Sequence, residues 1–246
     1  MHSIKKLQLL VQELLEDRFT EASLCFFAGS YVRGEATAFS DLDIVVLYPR
    51  LESAFRESFL YKGIPIEAFH HDEGTLTYFM DDDIQRGRPS MPQMILEGIV
   101  LPTPNPESDS LKQYAKTVLA SPSVLSKEEI KHQRYAITDM VDDLRAPRSI
   151  MEAIATGVQL YPILANFFLR SNGFWGSSGK WIPRALHQAD PEYATQFQLA
   201  FDQLFQSGIV SVVIDLTQET LEPHGGLLFD GYKRDAPPTW RSNPTP

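Results

Sequence analysis

The chain has 246 residues, 43% hydrophobic and 22% charged, which excludes wholesale disorder and suits one large domain or two small ones. Thirty-two acidic residues against 22 basic ones leave a formal net charge of −10, which repels a phosphate backbone, so no nucleic-acid partner is expected. The single cysteine, Cys25, excludes an internal disulfide, and no apolar run approaches the roughly 18 residues needed to cross a bilayer, so a cytoplasmic protein with no membrane partner is expected.

Ile4, Leu7, Leu10, Val11, Leu14 and Leu15 recur at helical spacing, interrupted by Lys5, Lys6, Gln8, Gln12 and Glu13. That pattern is an amphipathic helix and not a secretion signal, whose apolar centre is unbroken. Leu24 to Ala28 is a short apolar run stopped by Gly29-Ser30, which reads as a buried strand with Cys25 in the core. Leu42 to Tyr48 is a second buried strand. Leu51 to Tyr61 is expected to be a helix closed by Lys62-Gly63, and Ile64 to His70 a third strand with Pro65 at its start or on an edge. Helical segments are expected near Thr75–Arg86 and Pro89–Gly98. Alternating helices and strands imply a mixed α/β sheet over residues 1–105. Leu101 to Ser110, with three prolines in ten residues, reads as a linker or boundary. Helical periodicity then dominates over Lys127–Leu144, Ser149–Arg170, Pro191–Gln206 and Ile209–Leu221, so residues 106–234 are expected to form an all-α bundle of five or six helices. Residues 235–246 form a proline-rich tail expected to lie loosely on the surface.

The chemistry is concentrated in Gly29-Ser30-Tyr-Val-Arg33-Gly34, which is followed by Ser40-Asp41-Leu42-Asp43. Asp41 and Asp43 lie two apart on a strand, so both carboxylates point to one face while Leu42 and Ile44 point to the core. Two carboxylates side by side repel unless a cation lies between them, which makes a divalent metal site the sensible expectation. Gly29 removes a side chain where the backbone approaches something closely. A tight turn after it would aim N–H groups and the Ser30 hydroxyl outward, which suits a phosphate.

These residues resemble the nucleotidyltransferase superfamily related to DNA polymerase β: a Gly-Ser turn, ten intervening residues, then Asp-x-Asp on the next strand. The fuller pattern GS-x-x-R-G with S-D-L-D is similar to the smaller bacterial branch that includes aminoglycoside nucleotidyltransferases, in which a helical domain follows the catalytic one. The resemblance is specific over residues 26 to 70 and architectural beyond. It implies that Asp41 and Asp43 hold two Mg²⁺ ions. Glu67 would be the third carboxylate, either a metal ligand or the general base; many polymerase-like members carry Asp there. Gly29 and Ser30 would contact the β- and γ-phosphates, with Ser40 among the nucleotide contacts. Arg33 would be a counter-charge nearby, or else a surface partner of Glu35. A lysine from the helical domain reaches the phosphates in similar enzymes, which singles out Lys180 in the segment Phe174 to Trp181; the alternative is a loop lysine beside two tryptophans.

The activity implied is transfer of a nucleoside monophosphate, AMP from ATP, to a small hydroxylated acceptor. An aminoglycoside-like antibiotic suits the acidic balance. Two other readings remain: an antitoxin-like enzyme that AMPylates a protein, and a regulatory module that binds nucleotide without turnover. Whether the chain works alone or as a homodimer is left open. His70-His71-Asp72-Glu73 reads as a turn and not as metal ligands, Asp81-Asp82-Asp83 and Asp142-Asp143 as solvated helix faces, and Asp139 and Glu152 as acceptor contacts that sequence cannot place.

Overall fold

The computed structural model describes residues 3–236. The chain divides into two compact units, Met1–Ser123 and Val124–Pro246.

The first unit is built on a five-stranded mixed sheet in the order β3-β4-β2-β1-β5. Its strands are β1 (Leu24–Ala28), β2 (Leu42–Leu47), β3 (Phe55–Tyr61), β4 (Ile64–His71) and β5 (Ile99–Leu101). Only β2 and β4 run parallel; the other pairs are antiparallel. All five residues of β1 are buried, because helices cover both faces of the sheet. On one face, Leu7, Val11 and Leu14 of α1 (Ile4–Arg18) pack on Cys25, Phe27, Leu42, Ile44 and Val46. On the other, α2 (Glu73–Arg86), α3 (Ser90–Glu97) and α4 (Pro106–Leu119) supply Leu76, Met80, Ile95, Leu111 and Ala115 against Leu24, Phe26, Val45 and Leu47. The alternation of β2 between these two cores puts Asp43 on the side of α2–α4.

Two expectations are corrected here. Leu51–Tyr61 is not a helix: its last seven residues are edge strand β3, in which Glu57, Phe59 and Tyr61 are half-buried and Ser58 and Leu60 exposed. Lys62 (φ 48°) and Gly63 (φ 78°) close a two-residue hairpin into β4, the left-handed pair that such turns require. The proline-rich stretch is not a linker either. Leu101 ends a strand, and Asn105 caps α4 by accepting from Ser108 N, with Pro106 at the first helical position where its missing N–H costs nothing. Lys112 Nζ donates to Gly98 O (2.6 Å) and Leu96 O (3.3 Å), tying α4 to the end of α3. The boundary therefore falls after Ser123 and not at residue 105.

Among its described residues, the second unit is all-helical: α5 (Lys127–Arg145), α6 (Ile150–Ser171), α7 (Ile182–Ala189), α8 (Pro191–Ser207) and α9 (Ser211–Leu221). Three- and four-residue spacing gives one core, with Ile137, Val141 and Leu144 meeting Leu160, Leu164 and Phe167, and Phe197, Phe201 and Leu204 meeting Val213 and Leu216. Ser126, Ser149 and Asp190 cap α5, α6 and α8 through side-chain oxygens, each contributing about 1 kcal/mol. Of the expected tail, residues 237–246 lie outside the described residues. Among the described residues, no helix is long and apolar enough to cross a membrane.

Candidate active site

The site is assembled at the ends of β1, β2 and β4. Gly29 leaves β1 with φ +78°, and a Cβ added there would fall 1.9 Å from Asp43 Oδ2. Both the backbone conformation and the space therefore demand glycine at this position. The chain then turns tightly: Val32 and Arg33 N donate to Gly29 O, and Glu35 N donates to Ser30 O (2.8 Å). Residues 35–40 return the chain to the sheet, with Thr37 N donating to Ser40 Oγ (2.9 Å). The Ser40 hydroxyl thus fastens the loop that delivers Asp41.

Asp43 lies opposite Ala28 of β1 and beside Glu67 of β4 in the parallel register. Asp41, two residues earlier, joins them, and each of the three residues offers one carboxylate oxygen within 4.8 Å of the others. Such crowding is unfavourable for three anions. Burial, reinforced by Asp41 and Glu67, pushes the Asp43 carboxyl up to about 6, with Arg33 opposing. A carboxyl so destabilised as an anion gains from a cation held among the same oxygens, and all-oxygen donors of this kind fit a hard divalent ion such as Mg²⁺. Among the described residues this is the only such group of three or more acidic, histidine or cysteine side chains.

Two further residues belong to the site beyond those expected from the sequence. Arg56 of β3 forms an ion pair with Glu67 and lies over the Phe69 ring at 5.3 Å. Recognising β3 as an alternating strand would have placed it on the same face as Glu67. Glu97, the last residue of α3, accepts from Gly29 N (3.2 Å) and pairs with Arg33. No local signal marks it, because 68 residues separate it from Gly29. Arg33 also meets Glu35 at 3.2 Å, so the surface-partner alternative is realised in part.

Other acidic and histidine positions have separate roles. His70 and His71 are the last residues of β4 and not a turn; both are buried. His70 stacks on Phe55 with ring centroids 4.1 Å apart, and Tyr48 Oη lies 3.1 Å from its Nδ1. Burial lowers the pKa of both imidazoles, that of His71 to about 4. Asp72 caps α2 by accepting from Thr75 N. Asp83, expected on a solvated face, is buried and accepts from Met91 N (2.6 Å), joining α2 to α3. Asp139, Asp142, Asp143 and Glu152 are exposed; Glu152 accepts from Arg148 N (2.8 Å).

Lys180 belongs to the second unit, exposed in the short 3₁₀ turn Gly179–Trp181 that leads into α7, with its Nζ 5.9 Å from the Trp181 ring. Asn166 of α6 anchors the preceding loop through Ser177, donating to its carbonyl (3.0 Å) and accepting from its N–H (2.8 Å).

Residues 9–78 match the nucleotidyltransferase domain family, a span that contains Gly29, Ser30, Arg33, Asp41, Asp43 and Glu67. Among solved structures, the chain is similar to a nucleotidyltransferase-like protein from Exiguobacterium sibiricum at 12% identity and a TM-score of 0.49, over 87% of this chain and 75% of that one. No curated protein matches it. Because the match lies over the Gly-Ser turn, the paired aspartates and the strand that adds the third carboxylate, residues 9–78 carry a nucleotidyltransferase domain, which supports a transferase.

Proposed function

We propose that the protein transfers a nucleoside monophosphate, AMP from ATP, to a hydroxyl of a small acceptor and releases pyrophosphate. The observation that carries this reading is the convergence of Asp41, Asp43 and Glu67 oxygens within 4.8 Å beside the Gly29-Ser30 turn. Asp41 and Asp43, with Glu67, are the residues that would hold two Mg²⁺ ions, which when bound neutralise the triphosphate and the charge developing on pyrophosphate. The acceptor oxygen bonds to the α-phosphorus as the bond from that phosphorus to the oxygen bridging to the β-phosphate breaks. Glu67 orients the acceptor hydroxyl or takes its proton. Gly29, Ser30 and Arg33 receive the β- and γ-phosphates, and Lys180 contributes a further positive charge. The acidic balance of the chain supports a cationic acceptor of the aminoglycoside kind, which a negative field would steer toward it.

The test is Mg²⁺-dependent pyrophosphate release with each nucleoside triphosphate against aminoglycosides, lincosamides and a cell-metabolite extract, with the double variant Asp41→Asn/Asp43→Asn as blank. Release above the blank is expected, greatest with ATP and an aminoglycoside. Wild type indistinguishable from the blank across the panel would overturn the reading.

A further inference from the structure

The donors assigned above to the triphosphate already hold an anion that belongs to the protein. A single oxygen, Glu97 Oε1, accepts from the Gly29 N–H at 3.2 Å and from the Arg33 guanidinium, while Oε2 accepts from Gln93 Nε2 at 3.3 Å. A backbone N–H and a guanidinium converging on one oxyanion form the arrangement that binds a phosphate oxygen equally well. Glu97 is well placed to hold it, with its side chain 12% exposed at the end of α3, directly before β5 returns into the sheet. Arg33 carries one positive charge, and both Glu35 and Glu97 lean on it. A triphosphate arriving at these donors meets a carboxylate in the place of its own oxygen.

The geometry points to Glu97 as an internal stand-in for phosphate, a carboxylate that occupies the Gly29 and Arg33 donors and must yield them when the triphosphate binds. This inference rests on the nucleotidyl-transfer reading of the same site. Its consequence is a built-in reduction of triphosphate affinity: the apparent dissociation constant is the intrinsic one divided by the fraction of molecules in which Glu97 has released the donors. The selectivity is toward ligands with β- and γ-phosphates, since a monophosphate has nothing to place on them.

Calorimetric titration of the whole chain with Mg²⁺·ATP, Mg²⁺·inorganic triphosphate and AMP tests this, using wild type, Glu97→Gln, Arg33→Ala and the double variant. Glu97→Gln keeps the shape and removes the charge. It is expected to bind ATP and inorganic triphosphate about tenfold more tightly, the scale of one charge-assisted hydrogen bond, with AMP affinity unchanged. The gain should vanish in the Arg33→Ala background. Equal or weaker triphosphate binding by folded Glu97→Gln, while wild type binds ATP, would overturn the inference alone and leave Glu97 as a strut of the turn. Absence of ATP and triphosphate binding in both proteins would overturn the underlying reading and this inference with it. Should Glu97→Gln fail to fold, Gln93→Met releases the exposed far side of the carboxylate. About two- to threefold tighter triphosphate binding is then expected, and no change would overturn the inference.

Discussion

The two units hold their candidate functional groups by different means. In the first, sheet register does the positioning: Asp43 sits beside Glu67 because β2 and β4 pair in parallel, and Asp41 shares its face because side chains alternate. Gly29 presses against Asp43 so closely that no Cβ fits between them. In the second, Lys180 stands exposed on a short turn, beside Trp181 and downstream of a loop anchored through Asn166. Crowded carboxylates on a rigid sheet suit an ion whose ligands must be preplaced, whereas a long cationic side chain on a surface turn can reach a flexible phosphate without preplacement.

The sharpest way to break this contrast is to remove a preplaced ligand. Asp43→Asn is expected to lower Mg²⁺-dependent pyrophosphate release by at least about 10²–10³-fold in steady-state assays, the scale for losing a preorganised electrostatic group. Gly29→Ala comes next. Its methyl group would collide with Asp43 Oδ2 on a backbone at φ +78°, so a stability loss of about 1–3 kcal/mol by denaturant melt is expected, together with loss of most activity.

The pH dependence of stability then separates the buried site from the buried histidines. The Asp43 carboxyl is raised from 3.8 to about 6, so its favourable contribution is present below pH 3.8 and is lost as pH rises through 6. His71 is lowered from 6.5 to about 4, so its contribution is present above pH 6.5 and is lost as pH falls through 4. The two slopes oppose each other between about pH 4 and 6. Asp43→Asn should therefore raise the thermal midpoint at pH 7.5 without Mg²⁺, whereas His71→Phe should flatten the acid limb. Added Mg²⁺ should raise the wild-type midpoint at pH 7.5 by mass action and leave Asp41→Asn/Asp43→Asn unmoved.

The smallest expected effect is in the second unit. Lys180→Ala should leave the thermal midpoint unchanged, since the side chain is exposed, and raise the KM for triphosphate about three- to tenfold without lowering kcat. An unchanged KM would return Lys180 to the role of a loop lysine beside Trp181.

How much of the site was legible depended on sequence distance. The Gly-Ser turn, Arg33, Asp41 and Asp43 fall within fifteen residues, and the strand-turn-strand pattern they occupy is local. Glu67 was accessible because it lies on the next long alternating run. Arg56 lies in Leu51–Tyr61, where helical spacing conceals its place beside Glu67. The apolar positions there fit both periods, and the Lys62-Gly63 pair closes a hairpin as readily as it ends a helix, so only the pairing with β4 distinguishes them. Asp83 looked like one of three solvated acids, yet the docking of α3 on α2 gave it the Met91 N–H and buried it.

By itself, the sequence determined the alternating unit followed by a helical one and the pairing of two carboxylates on one face. These follow from hydrophobic periodicity and strand alternation, which act over a few residues. Tertiary structure decided the rest. It set the register that adds Glu67 to the pair, and the packing of α4 on α3 that moved the boundary to Ser123. It also brought Glu97 onto Gly29 and Arg33. Contacts between residues far apart in the chain depend on how strands order and helices dock, and no local pattern encodes which distant carboxylate will meet a given N–H.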